Sequence, residues 1–172
     1  MGRWICQEPL DLMELVRETE DHGTGALVIF VGTVRDTTEG QAVHAVTYEA
    51  HVELAERVLQ EIEQEVLERF EVRRCRIRHR VGKLSLGEPS VIIVVRAEHR
   101  GPAFEAARYA LEELKRRAPI WKEEHLLSGE SRFVEGTPLQ ASPGPFAFAS
   151  QWLAKMNVKR SLSRRSLAKS GP

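Results

Sequence analysis

Leu114-Lys-Arg-Arg-Ala-Pro-Ile-Trp-Lys-Glu123 joins two kinds of secondary structure, and the fold is read outward from that joint. Upstream, Phe104, Ala107, Leu111 and Leu114 recur at helical spacing. That helix must stop near Ala118, because a proline at 119 disfavours helical geometry in the residue before it. Downstream, Ile120 to Leu126 alternates and can pair with Arg132 to Val134 as a hairpin around Ser128-Gly129-Glu130. Lys115, Arg116, Arg117 and Lys122 crowd this corner, so at least one cation lies near a like charge. Two amines beside Trp121 are poor material for a core and good material for an anion pocket.

Further upstream, Val91 to Ala97 and Ala26 to Gly32 are continuous apolar runs, the pattern of strands buried on both faces. Val43 to Ala50 alternates as a strand. Val52, Ala55, Leu59, Ile62 and Val66 mark the clearest helix, over 51–69. A shorter helix is predicted over 9–20, with Leu10, Met13 and Val16 on its apolar face. Val72 to Val81 reads as a strand with Cys75, Ile77, His79 and Val81 on one side. Arg74, Arg76, Arg78 and Arg80 lie on the other side, as a solvated face or a surface for an acidic partner. Strands alternating with two amphipathic helices, through short connections, predict a two-layer α+β domain with a mostly antiparallel sheet and a small β-hairpin element.

The chain has 172 residues, enough for one ordinary domain, and 42% hydrophobic content suits a globular protein. Its formal net charge of zero hides an asymmetry. No acidic residue follows Glu135, while six basic ones do, so a body of about −6 carries a tail of about +6. The domain is therefore read as 1–140. Residues 141–172 form a basic, Pro/Ser-rich extension of weak order, with one short docking helix around Trp152, Leu153 and Met156. An acidic body with few aromatics argues against a dedicated nucleic-acid binder. Cys6 and Cys75 have neither disulfide-framework nor metal-ligand spacing and read as reduced thiols, which points to the cytoplasm. No apolar run is long enough to span a bilayer, and no metal site is expected.

Three basic groups follow strands or end a helix: Arg35, then His99 with Arg100, then Lys115 with Lys122. Taken singly, each has a bland reading. Lys115 suits a helix C-terminus, Lys122 an exposed strand position, and His99 a helix cap. Taken together they outline an oxyanion or phosphate pocket with Phe30 or Trp121 as its wall. The amides of the helix opened by Gly101-Pro102 could face the same anion.

Several of these stretches resemble one family. They are Gly25 to Arg35, His79-Arg-Val-Gly82 with Leu84 and Gly87-Glu88, Ala97-Glu-His-Arg100, Ala103-Phe-Glu-Ala106, Leu114 to Glu123, and Arg132 to Glu135. In this order the chain is similar to the large, catalytic subunit of molybdopterin synthase, over about residues 25–135. The resemblance implies a hammerhead-like α/β fold. It implies a homodimer within a heterotetramer, in which each protomer docks a small ubiquitin-like sulfur carrier. The carrier's C-terminal Gly-Gly thiocarboxylate gives sulfur to cyclic pyranopterin monophosphate, building the dithiolene of molybdopterin without a cofactor. It further implies that Thr33, Val34 and Arg35 form a substrate-contacting loop. His99 and Arg100 are expected near the pterin phosphate, and Lys115 beside the carrier's C-terminus. Lys122, with Glu123 and Glu124, is expected on the substrate, Lys115 and Lys122 being catalytic.

Overall fold

The computed structural model describes residues 3–134; the basic extension, and the short helix expected in it, lie outside the described residues. Twelve elements follow in order: β1 (Ile5–Cys6), α1 (Leu12–Glu18), β2 (Ala26–Thr33), β3 (Thr37–Thr38), β4 (Gln41–Ala50), α2 (Val52–Arg69), β5 (Val72–Arg80), β6 (Gly82–Ser85), β7 (Pro89–Ala97), α3 (Arg100–Arg117), β8 (Ile120–Leu126) and β9 (Ser131–Val134). The class is α+β. One sheet runs β1-β5-β7-β2, and a second runs β3-β4-β8-β9 with β6 also on β4. Pairing is antiparallel throughout, except that β1 lies parallel to β5. The expected hairpin is β8–β9, and it forms the border of the second sheet rather than standing apart from it.

Strand β7 explains the layering. Its residues Val91, Ile93, Val95 and Ala97 meet α2 and α3 in the main core, while Ile92 and Val94 point the other way and receive Leu15 of α1. Helix α2 delivers Ala55, Leu59, Ile62 and Val66 to the main core, as its periodicity predicts. Helix α3 buries small side chains, Ala103, Ala106, Ala107 and Ala110, with Leu114; Phe104, expected inside, is exposed. An alanine face lets a helix sit close to a sheet, which leaves no room for a phenyl ring. In α1 the anchor is Leu15 rather than Met13, and Asp11 caps the helix by accepting from the Met13 amide at 2.8 Å.

Two strand readings are corrected. β2 is not buried on both faces. It borders its sheet, with Ala26, Val28 and Phe30 against the core and Leu27, Ile29 and Val31 turned out, each 36–39% exposed. The arginine face of β5 is solvated only at Arg74. Arg78 is buried between Glu14 and Glu18 of α1, at 2.9 Å to each. Arg76 reaches Glu63 of α2 at 2.8 Å, and Arg80 reaches Glu88 at 2.8 Å. Beside Ile77, where β1 does not extend, the Glu63 carboxylate accepts the strand's amide at 2.7 Å and stands in for a neighbouring strand. Burial pushes the Glu63 carboxyl upward from its ordinary range.

His79 is buried edge-on to Tyr48, with ring centroids 5.0 Å apart. Its Nδ1–H donates to the Arg80 carbonyl at 2.8 Å. Burial disfavours the imidazolium and pushes its pKa from 6.5 down to about 4. Between those values the unfolded chain binds a proton that the folded chain refuses, so stability falls as pH drops through this window. The full contribution is about 3 kcal/mol. Urea unfolding at pH 7 and pH 4.5 is expected to show a loss about 2 kcal/mol smaller in His79→Gln than in the wild-type chain.

Candidate functional site

The corner at Ala118-Pro119 is built as its sequence predicts. Ala118 closes α3 by donating its amide to the Leu114 carbonyl at 3.0 Å and then turns extended. The Pro119 carbonyl accepts from the His51 amide at 3.1 Å, which ties the corner to the start of α2. The crowding of cations is resolved by acids. Arg116 pairs with Glu113, and Arg117 takes Glu65 at 2.8 Å and Glu61 at 3.1 Å. Lys115 stays exposed and makes no ion pair among the described residues. Its charge is therefore available to an incoming anion.

Lys122 is held differently. Its Nζ lies 2.6 Å from Glu124, a carboxylate only 1% exposed. The other carboxylate oxygen accepts from Arg132 of β9, whose Nε and Nη2 are each at 3.3 Å. Arg132 Nη1 extends to Glu39 at 3.1 Å. Burial opposes ionisation of Glu124, but the hydrogen bonds and charges of Lys122 and Arg132 outweigh it and hold the carboxyl below its ordinary range. Glu124 therefore positions cations and has no free surface for substrate, a correction to its expected role. Glu123 alternates to the opposite face of β8 from Lys122, together with Trp121, which is 52% exposed. Neither shares the face that carries Lys122.

The loop after β2 begins at a register shift between Gly32 and Thr33. A Cβ on Gly32 would meet Val91 Cγ1 at 2.7 Å, so any side chain here would force Val91 or the β2–β7 pairing to shift. Thr33 and Arg35 are exposed, and Arg35 has no acidic partner among the described residues. Val34, expected to touch substrate, is instead buried with Val43, Val46, Leu84 and Leu126. Its amide donates to Glu88 and its carbonyl accepts from Gly87. Phe30, expected as a pocket wall, packs on the main core. A two-residue turn at Glu39-Gly40, with φ of 48° and 79°, then reverses the chain between β3 and β4.

Strand register locates these residues relative to one another. Lys122 pairs with Tyr48, Tyr48 stacks on His79, His79 pairs with Val91, and Val91 pairs with Gly32. Helix α3 starts where β7 ends and runs back along β2, so its C-terminus lies toward that same end. Arg35, Lys115 and Lys122 therefore share one end of the fold. His99 and Arg100 do not join them. They follow Ala97, which pairs with Ala26 at the far end of β2, about 25 Å away at 3.3 Å per strand residue. His99 occupies the N-cap position of α3 but makes no side-chain cap. It lines a cleft of 460 Å³ with Glu71, Val72, Arg73, Glu98 and Pro102.

The family model described as MoaE protein matches residues 5–117. The chain belongs to the MoaE family. MoaE-family relatives include the molybdopterin synthase catalytic subunit of Halalkalibacterium halodurans, 38% identical over 73% of this chain and 81% of that one. The molybdopterin synthase catalytic subunit of Pyrococcus abyssi is 39% identical over 75% and 86%. The crystal structure of molybdopterin synthase from Staphylococcus aureus superposes with a TM-score of 0.72, at 33% identity, covering 77% of this chain and 96% of that chain. A complex of subunits 1 and 2 of molybdopterin-converting factor from Helicobacter pylori shares the MoaE fold, with a TM-score of 0.63 at 23% identity over 81% and 95%.

Arg132 is the site residue that the sequence reading passed over. Glu124 and Arg132 are direct partners across the β8–β9 hairpin, so the spacing about the Ser128-Gly129 turn contained the signal. Removing the buried negative charge leaves two cations facing each other. Glu124→Gln is expected to lower stability by about 2 kcal/mol in urea unfolding at pH 7, whereas Glu123→Gln changes it by less than about 0.5 kcal/mol.

Proposed function

We propose that this chain is the catalytic subunit of a molybdopterin synthase and a sulfurtransferase. It passes sulfur from the C-terminal thiocarboxylate of a small ubiquitin-like carrier to cyclic pyranopterin monophosphate. The observation that carries this reading is the cationic end of a MoaE-family fold, where Arg35 and Lys115 have no acidic partner among the described residues and Lys122 is held by Glu124. Both reactants are anions, a phosphate ester and a thiocarboxylate, and they repel each other unless cations lie between them. Arg35 offers a planar fork to phosphate oxygens. Lys115 takes the position beside the carrier's acyl sulfur and stabilises the negative charge that develops during transfer. Lys122 supplies a second, mobile point charge to the substrate. The carrier brings the nucleophilic sulfur, so the chain needs no reactive thiol of its own. Burial pushes the Cys75 thiol up, and Cys6 is raised as well. Two free cysteines fit a reducing cytoplasm.

His99 and Arg100 enter this reading through a second copy. The homodimer completes the site when a two-fold partner, laid antiparallel, brings its own His99 end to the Arg35, Lys115 and Lys122 end. Two such sites then form per dimer, each with a docked carrier.

Lys115→Ala is expected to reduce conversion of the cyclic precursor, assayed with thiocarboxylated carrier, by about 100-fold or more. Near-normal turnover would remove Lys115 from the chemistry. Arg100→Ala alone is expected to be similarly impaired. Co-refolding the two variants in equal amounts should restore about a quarter of wild-type activity, because half the dimers are mixed and each holds one intact site. No recovery would place both residues in the same protomer's site.

A further inference from the structure

Lys122 and Arg132 share one buried carboxylate, but not one oxygen. Lys122 holds Oε1 of Glu124 at 2.6 Å, while Arg132 holds Oε2 through two nitrogens at 3.3 Å. A lysine that leaves a buried carboxylate ordinarily strands an uncompensated charge, which is strongly unfavourable. Here its departure leaves the guanidinium in place. Of the two cations on that anion, Lys122 is the flexible partner. Arg132 is in turn fixed at its outer edge by Glu39, in the tight turn that follows Arg35 by four residues. One guanidinium thus spans the strand that carries Lys122 and the hairpin that follows Arg35.

We propose that Arg132 is a positioning residue that makes Lys122 transferable, keeping Glu124 neutralised while the ammonium moves from that carboxylate to a phosphoryl oxyanion of the substrate. The inference rests on the functional reading above for the identity of that anion. Without Arg132, Glu124 depends on Lys122 alone and holds the ammonium back, so anion binding weakens. Chemistry at Lys115 is untouched, so the loss falls on KM and spares kcat.

The test uses the full chain with its lysines carrying ¹³C-dimethyl groups, which keep the charge, and inorganic pyrophosphate as the probe. The Lys122 signal is assigned by its loss in Lys122→Arg. In the wild-type chain pyrophosphate is expected to shift that signal. In Arg132→Gln the apparent Kd rises about tenfold. The KM for the phosphorylated substrate rises by a similar factor, with kcat within about twofold. Arg132→Lys keeps the charge without the fork and is expected to shift Kd about threefold in the same direction. It serves as the measurement if Arg132→Gln does not fold. An unchanged Kd in the folded variant overturns the proposal, as does a fall in kcat at constant KM. A wild-type chain that shifts Lys122 on pyrophosphate but converts no pterin substrate overturns the functional reading and supports the role of Arg132. A wild-type chain that converts substrate, with Arg132→Gln equally proficient, overturns the role of Arg132 alone.

Discussion

An apolar strand with both faces inside a protein needs a cover on each side, and β7 imposes that demand on everything around it. Its odd-numbered residues recruit α2 and α3, and its even-numbered residues recruit Leu15 of α1. Burying a leucine or isoleucine side chain is worth about 1.5–3 kcal/mol, so the two layers on β7 account for much of what holds the chain together. Its antiparallel pairing with β2 then decides the geography of the basic residues. Arg35 leaves one end of that pair, and His99 and Arg100 leave the other. No side-chain rearrangement brings them together within one chain, because an extended strand is as stiff a spacer as a protein has.

Charges are distributed by the same logic. Every arginine from 73 to 80 finds a glutamate or aspartate on a neighbouring helix or loop, and the pairs of Arg76 and Arg78 fasten α1 to the sheet. Arg116 and Arg117 are matched in the same way on α2 and α3. Arg35 and Lys115 have no such partner among the described residues, a condition they share with the exposed Arg57, Lys83 and Arg100. Lys115 sits in the last turn of α3, where the helix dipole favours a cation, and Arg35 lies on the exposed loop after β2.

Much of this was legible in the residues. The helix stop at Ala118-Pro119, the period of α2, the hairpin about Gly129 and the α+β class all follow from local rules that tertiary structure did not override. The failures share one cause, which is that a single strand's pattern does not reveal what covers it. Leu27, Ile29 and Val31 look like core residues until β2 proves to border its sheet, and Arg78 looks solvated until α1 lands on it. Val34 and Glu124 sit inside motifs that invite a binding role, yet both are buried and serve their neighbours. The short strands β1, β3 and β6 were missed because two to four residues carry no periodicity to read.

The break in register after Gly32 has a consequence of its own. Side chains on a strand alternate strictly, so every residue of β2 is committed to one face for as long as the ladder continues. The irregularity at Gly32 and Thr33 ends that commitment just before the loop that carries Arg35. Arg35 is thereby aimed by the loop and its hydrogen bonds to Gly87 and Glu88, not by the parity of the strand that precedes it. Side-chain direction in the core half of β2 is thereby decoupled from that of the Arg35 loop, with Gly32 at the joint between them.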